Sequence, residues 1–330
     1  MPLPEDIKHL AIFMPSWVGD IVMASCVLKM ARLNYPNAKI TAVIRPHLAP
    51  LLDGVEELDD VLPLDMKSSV FKAAKKLKQI GADAAILLPN SFRSAAIVRL
   101  AGINIRGGYS RDYRSCLLTH RVTVEQQKKP TPTSEYYLRL ANQLFGLSMT
   151  NALPSIEINF SHKTVLEEFS KPIVLLVAGA SKSQKRWSPK NFAKVADELH
   201  AAGATCCAIG SQEEHELIQE LIAAASSTVH DLTRSGITLG TLPPIIAKAD
   251  LMITNDTGPR HLAVACGTPV ITLYGPTDYR WTKYDCENDI PLLADPFLPE
   301  ELVADSNAHR CDINHIPPSD VIAVAKRFIS

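Results

Sequence analysis

Along this chain, short continuous apolar runs alternate with segments whose apolar positions recur every three or four residues. In the first half, residues 10–14, 40–44, 61–64 and 84–88 read as strands. Between them, residues 20–34 place Ile21, Val22, Ala24, Leu28 and Ala31 on one helical face, 70–80 form a lysine-rich amphipathic helix, and 92–100 form another. The strand runs are apolar throughout rather than alternating with polar residues, the mark of strands covered on both faces. The pattern therefore predicts a parallel sheet with helices on either side. Such sheets bind ligands at the carboxyl ends of their strands.

A polar, proline-rich stretch at 126–133 interrupts the series as a surface loop, a helix follows at 134–145, and the pattern weakens around 154–172. A second alternating series then begins, with strands at 173–177, 205–209, 249–254 and 269–273 and helices at 189–200, 213–224, 238–247 and 320–329. At 330 residues the chain exceeds the usual size of one domain. Two successive α/β series predict two Rossmann-like domains, 1–165 and 166–330, with an interdomain cleft. The last helix, 320–329, is a candidate for packing back on the N-terminal domain.

Composition changes this picture little. With 46% hydrophobic and 21% charged residues it is that of an ordinary soluble protein. No apolar run approaches the ~18 residues of a transmembrane segment, and no basic, cleavable leader is evident. The seven cysteines are scattered and lack a Cys-x-x-Cys pair, which fits reduced thiols in a cytoplasmic protein and disfavours a disulfide framework or a zinc site. Charge is less even: residues 1–160 hold 19 Lys and Arg against 14 Asp and Glu, and residues 161–330 hold 15 against 21. Six arginines, 93, 99, 106, 111, 114 and 121, fall in one short span with Asp112 as its one acid, and form a positive surface if they share a face. Nucleic acid is not the expected partner, because aromatic interleaving is missing and the pI is near neutral.

Candidate chemistry concentrates in three loops at strand ends. In 254–263 the chain leaves a strand, turns at Gly258 and enters a helix with Pro259 at its start, where a missing N–H costs nothing. Helix-start N–H groups there suit a phosphate, with Asp256 and Thr257 flanking the cradle. Both residues are also common helix caps. Loop 178–187 offers Gly179, Ala180 and Ser181 for close backbone approach and Lys182, Lys185 and Arg186 for phosphate charge, but lacks the ending of a P-loop. In the third, 15–20, Gly19 permits a tight turn, and Asp20 at a helix start is either a cap or a carboxylate that the helix dipole keeps ionised and able to accept a proton. No Gly-x-Gly-x-x-Gly dinucleotide motif is present there.

Five ordered motifs together carry a resemblance: Pro15-Ser16-Trp17-Val18-Gly19-Asp20, Lys185-Arg186-Trp187, Ala208-Ile209-Gly210-Ser211, Asn255-Asp256-Thr257-Gly258-Pro259-Arg260-His261-Leu262 and Tyr274-Gly275-Pro276-Thr277-Asp278. The chain resembles the bacterial ADP-heptose:lipopolysaccharide heptosyltransferases of glycosyltransferase family 9, more the second enzyme of that pathway than the first. The resemblance implies a GT-B fold, with two facing Rossmann-like domains, and a metal-free, cofactor-free inverting transfer. It implies an ADP-heptose donor held by the C-terminal domain, and a lipid-linked anionic core oligosaccharide as acceptor at the inner membrane surface. By carry-over, Asp20 is the general base, Ser181 and Lys185 are donor-phosphate ligands, and Asp256 binds the donor sugar's hydroxyls. Thr257, Gly258 and Pro259 belong to the diphosphate cradle, and His261 is either a donor ligand or a buried structural histidine. Ser16, Gly19, Arg93, Arg111 and Arg114 are acceptor candidates. Departures include Tyr279 where relatives usually have proline, Ala180 where some have threonine, and His309-Arg310-Cys311 without the cysteines that often precede it. Another nucleotide-sugar transferase, an epimerase and an inactive nucleotide-sugar binding protein remain the alternatives.

Overall fold

The computed structural model describes residues 2–124, 130–151, 153–154, 164–301 and 309–329, so part of the proline-rich loop (125–129) and of the weakly patterned stretch (155–163) lies outside the described residues. The chain divides into two compact units, Met1–Glu157 and Ile158–Ser330, the second beginning a little before residue 166.

In the first unit, strands β1 (His9–Phe13), β2 (Lys39–Ile44), β3 (Asp60–Pro63), β4 (Ala84–Leu87), β5 (Ile105–Tyr109) and β6 (His120–Val122) form one sheet in the order β3-β2-β1-β4-β5-β6. Every pairing is parallel, as the apolar runs predict. Ile12 lies opposite Ala42 on one side and Ile86 on the other, all three fully buried. Helices α1 (Val18–Met23), α2 (Ser25–Asn34), α3 (Val70–Lys78), α4 (Phe92–Leu100) and α5 (Thr133–Phe145) complete the unit. The single helix expected over 20–34 is two, broken at Ala24, whose N–H reaches the carbonyls of Asp20 and Val22. β5 and β6 have no apolar run to announce them. β5 is glycine-rich because α5 leans on it: a Cβ at Gly107 would lie 3.0 Å from Leu144 Cδ2.

The second unit repeats the plan with β7 (Ile173–Val177), β8 (Thr205–Ala208), β9 (Val229–Asp231), β10 (Leu251–Asn255), β11 (Val270–Tyr274) and β12 (Asp289–Leu293), in the order β12-β11-β10-β7-β8-β9 and again all parallel. Its helices are α6 (Pro189–Ala201), α7 (His215–Ala224), α8 (Leu242–Lys248), α9 (Gly258–Cys266) and α10 (Pro318–Ile329). The helix expected from 238 starts four residues later, because Thr238 and Thr241 close a hydrogen-bonded turn ahead of Pro243 and Pro244. The last helix lies in its own unit's core: Val321, Ala325 and Ile329 join Phe192, Val195 and Leu199 of α6. Burying a side chain such as Val321 or Ile329 is worth about 1.5–3 kcal/mol, which fixes the helix there.

Both sheets reverse strand order between their first and fourth strands, so the loops after β1 and β4, and after β7 and β10, flank the crevice where doubly wound sheets hold ligands. The three candidate loops follow β1, β7 and β10. All seven cysteines are free; Cys26, Cys206, Cys207 and Cys311 are buried, while Cys116 is exposed. Among the described residues no helix is long and apolar enough to cross a membrane.

Beyond β11, Gly275 lets the segment 311–313 close over the sheet end: a Cβ there would lie 2.8 Å from Ile313 Cβ and 3.1 Å from the Cys311 carbonyl. Gly275→Ala is therefore expected to cost about 1–3 kcal/mol through overpacking, read as a lowered urea midpoint at unchanged slope. An unchanged midpoint would mean that the segment yields without cost.

Candidate functional site

Where β10 ends, Thr257 takes an extended conformation and α9 begins at Gly258, with Pro259 in its first turn. Neither candidate cap acts as one. Thr257 makes no side-chain capping bond. The Asp256 carboxylate turns elsewhere: Lys185 Nζ lies 2.8 Å from Oδ2, Arg260 Nη1 lies 3.8 Å from Oδ1, and Thr282 Oγ1 donates to Oδ1 at 3.5 Å. Burial alone would raise this carboxyl, but Lys185 and then Arg260 outweigh it and hold Asp256 below the usual carboxylate range. The pair is well shielded, with side-chain exposures of 19% for Lys185 and 7% for Asp256.

Asn255 explains why Lys185, far away in sequence, arrives at that carboxylate. Its Oδ1 accepts from the Trp187 backbone N–H at 3.0 Å, and its Nδ2 donates to the carbonyls of Ala178 at 2.8 Å and Gly179 at 3.3 Å. One buried amide thus clasps both ends of the 178–187 loop. The Trp187 ring, fully buried, donates Nε1–H to the Ile316 carbonyl at 3.1 Å and holds the exit of the loop. Ser181 and Lys182 stand exposed on the loop, and Arg186 is turned back to the Ala180 carbonyl at 2.9 Å. Gly179 has a different use from the one expected. A Cβ there would lie 1.8 Å from Glu214 Oε1, so the space left by glycine is filled by Glu214 rather than open to a ligand. Gly210 makes room on the other side, since its Cβ would lie 3.1 Å from Glu214 Oε2.

Beneath Asp256 is a residue to which the motifs gave no role. Arg260 is fully buried, lies 2.6 Å from Asp289 Oδ2, donates to the Thr282 carbonyl at 3.0 Å, and packs 5.3 Å from the Tyr274 ring and 5.1 Å from that of Tyr284. Thr272 supplies a further donor to Asp289 at 3.0 Å. A buried charge persists only when paired and bonded, and this one is both. His261, next along α9, is buried with Nδ1 2.6 Å from the Tyr284 hydroxyl. Burial, and then the Arg260 charge, push its pKa down to about 3, so the imidazole is neutral at physiological pH.

In the first unit, Asp20 falls in the first turn of α1, but the cap position belongs to Trp17, which is 70% exposed. The helix start is as expected; the electrostatic balance is not. Burial raises the Asp20 carboxyl above its ordinary value, against the dipole effect anticipated from its position. A raised carboxyl is the better proton acceptor, because its affinity for the proton moves toward that needed at neutral pH. Tyr137, itself buried, feels the Asp20 charge.

The arginines do not share a face. Arg114 is fully buried and spends its guanidinium on the carbonyls of Tyr109, Pro89 and Leu87 and on Asn90 Oδ1, and burial pushes its pKa down to about 10. It is a structural residue, not an acceptor ligand. Arg106 likewise serves the carbonyls of Ile103, Asn104 and Leu117. Arg111 is exposed and Gly19 half-buried within α1. Arg93 and Ser16 do come together, on the wall of a cavity of about 380 Å³ at the carboxyl ends of β1, β2 and β4.

His261 gives the second unit a specific pH response. In the unfolded chain it takes up a proton near pH 6.5, whereas in the fold it does so only near pH 3, so stability is lost as pH falls through that window. His261→Gln is expected to flatten the decline in melting temperature between pH 6.5 and the acid limit. An unaltered slope would assign the decline to other groups.

A model of the family described as glycosyltransferase family 9 (heptosyltransferase) matches residues 70–294, more than half of the chain. Lipopolysaccharide heptosyltransferase 2 of Salmonella typhimurium and that of Escherichia coli K12 are each 28% identical to this chain over 289 residues, covering 81% of it and 83% of the relative. Among solved structures, E. coli ADP-heptose lps heptosyltransferase II superimposes with a TM-score of 0.83 at 24% identity, covering 97% of this chain and 98% of that one. E. coli heptosyltransferase WaaC with ADP-2-deoxy-2-fluoro heptose superimposes with a TM-score of 0.75 at 20% identity, covering 97% and 99%. These likenesses show the fold, that of the GT-B heptosyltransferases, with its two parallel six-stranded sheets. By the extent of the family match, this chain belongs to glycosyltransferase family 9, the heptosyltransferases.

Proposed function

We propose that this protein transfers a heptose from ADP-L-glycero-D-manno-heptose to the inner core of lipopolysaccharide, with inversion at the anomeric carbon. The relatives named as lipopolysaccharide or lipooligosaccharide heptosyltransferase 2 support the transfer and its acceptor, and the structure of E. coli ADP-heptose lps heptosyltransferase II supports the donor. The observation that carries the site assignment is the Lys185–Asp256 ion pair of 2.8 Å at the start of α9, at the crevice of the second sheet. An ammonium has three donors; with one on Asp256, Lys185 keeps others for the β-phosphate oxygens of the leaving ADP. The N-terminus of α9, through Thr257, Gly258 and Pro259, lends partial positive charge to the same diphosphate, and Ser181 adds a hydroxyl. Asp256, kept ionised, accepts from hydroxyls of the donor sugar. His261 acts from beneath by holding Tyr284 rather than by touching the donor.

Asp20 is the general base. It takes the proton of an acceptor hydroxyl as that oxygen attacks the anomeric carbon, while the bond to the β-phosphate breaks and the charge passes to Lys185 and α9. The transition state is oxocarbenium-like, as in inverting glycoside chemistry. The acceptor is a lipid-linked, anionic core oligosaccharide, which the protein meets as a peripheral enzyme at the inner membrane surface. Ser16, Gly19, Arg93 and Arg111 are its candidate contacts.

Asp20→Asn is expected to lower kcat by at least ~10²-fold while the donor dissociation constant, measured by calorimetry, stays nearly unchanged. Wild-type turnover in that variant would remove Asp20 from the role. Mass analysis of the lipopolysaccharide core in cells lacking the gene is expected to show truncation at an inner-core heptose, and an intact core would overturn the heptose assignment.

A further inference from the structure

The first unit's cavity contains a group that nothing in the motifs assigns. Arg45 follows β2 directly and opens the turn of 3-10 helix at Pro46–Leu52, which brings its side chain to the carboxyl end of the sheet and to the cavity wall. Its Nε is buried and has no hydrogen-bond partner. A guanidinium offers five N–H donors and cannot shed its proton, so a buried N–H of this kind is costly unless an acceptor meets it.

Arg93 lines the same cavity from the first turn of α4. Its Nε donates to the Met66 carbonyl at 2.7 Å and its Nη2 to that of Ser68, which fixes the plane of the fork. The ion pairs of the first unit among the described residues, Arg32–Asp59, Lys39–Asp60 and Arg139–Glu135, involve neither arginine. One carboxylate, Asp112, also reaches the cavity, from an exposed position with φ of 53°. Two guanidinium groups against one carboxylate leave a single positive charge for an occupant. Asn90 is already committed, with Nδ2 on the Tyr136 hydroxyl at 2.8 Å and Oδ1 accepting from Arg114 at 3.1 Å, so it shapes the wall.

We propose that this cavity is an anion subsite in which Arg45 and Arg93 grip a carboxylate or phosphate of the acceptor, with Arg45 as the specificity-determining residue. Planar, doubly bonded recognition of such oxyanions is what paired arginines provide. The inference rests on the proposed acceptor being anionic, and it places that charge at the ends of β1, β2 and β4.

The test uses the full chain saturated with ADP, so that the donor cradle is occupied, and titrates it calorimetrically with inorganic phosphate in one arm and glucuronate in the other. Wild-type protein is expected to bind at least one probe: glucuronate identifies an acidic sugar as the source of the anion, phosphate a phosphorylated one. Arg45→Met is expected to weaken that binding about tenfold without lowering the melting temperature, since the replaced Nε bonds to nothing in the fold. With lipopolysaccharide acceptor, the same variant is expected to raise the acceptor KM about tenfold and leave kcat and donor affinity in place. Binding of both probes by Arg45→Met as by wild type, or of neither by wild type, would overturn the subsite. Those outcomes are separate from loss of turnover in Asp20→Asn, which bears on the transfer reaction alone.

Discussion

A single carboxamide holds the second unit's crevice in shape. Asn255 ends β10 and bonds across to the chain leaving β7, using its oxygen on Trp187 N–H and its nitrogen on the carbonyls of Ala178 and Gly179. It is fully buried, so each of these bonds forms where water does not compete. Only an amide supplies donor and acceptor at that spot; aspartate would set a second charge beside Asp256, and leucine would leave two carbonyls and an N–H unpaired. From this clasp follow the loop's path, the 3-10 turn at Ser183–Lys185 and the placement of the lysine against its carboxylate.

Charge in the two units is arranged on opposite principles. Beneath the α9 start, Lys185 and Arg260 balance Asp256 and Asp289, a closed set with direct ion pairs and buried hydroxyl partners. Direct pairing and added hydrogen bonds offset the desolvation of this set and leave the helix terminus, with its unpaired N–H groups, to meet an incoming polyanion. In the first unit, the cavity wall carries two guanidinium groups against the one carboxylate of Asp112, and neither arginine is in a direct ion pair among the described residues. The same strand order serves both, so the difference lies in the loops and not in the sheets.

What the sequence disclosed follows the same division. Interior strands such as β4 and β7 are apolar throughout, and β1 and β10 nearly so, which made them legible at once. The edge strands β6, β9 and β12 are polar or hold proline, and β5 is glycine-rich, so none carries the signal of burial. Motif spacing brought out Lys185 and Asp256 but not their contact, which depends on a side chain at 255. Arginine is ambiguous on the page. Arg114 and Arg45 look alike in a string of letters, and only the placement of backbone carbonyls decides that one is satisfied by the fold and the other is not. Asp20 shows the remaining limit: its helical position was readable, whereas its desolvation depends on what α5 and the sheet bring near it.

The distribution of sulfur has a practical corollary. Burial pushes the Cys26, Cys206 and Cys207 thiols up to about 12 and leaves them protonated at neutral pH, when only the thiolate attacks an electrophile. Cys116, by contrast, stands in open solvent beside the turn that precedes β6. A maleimide dye or nitroxide therefore finds a natural handle on the first unit, and spectroscopic tracking of that half requires no engineered attachment point.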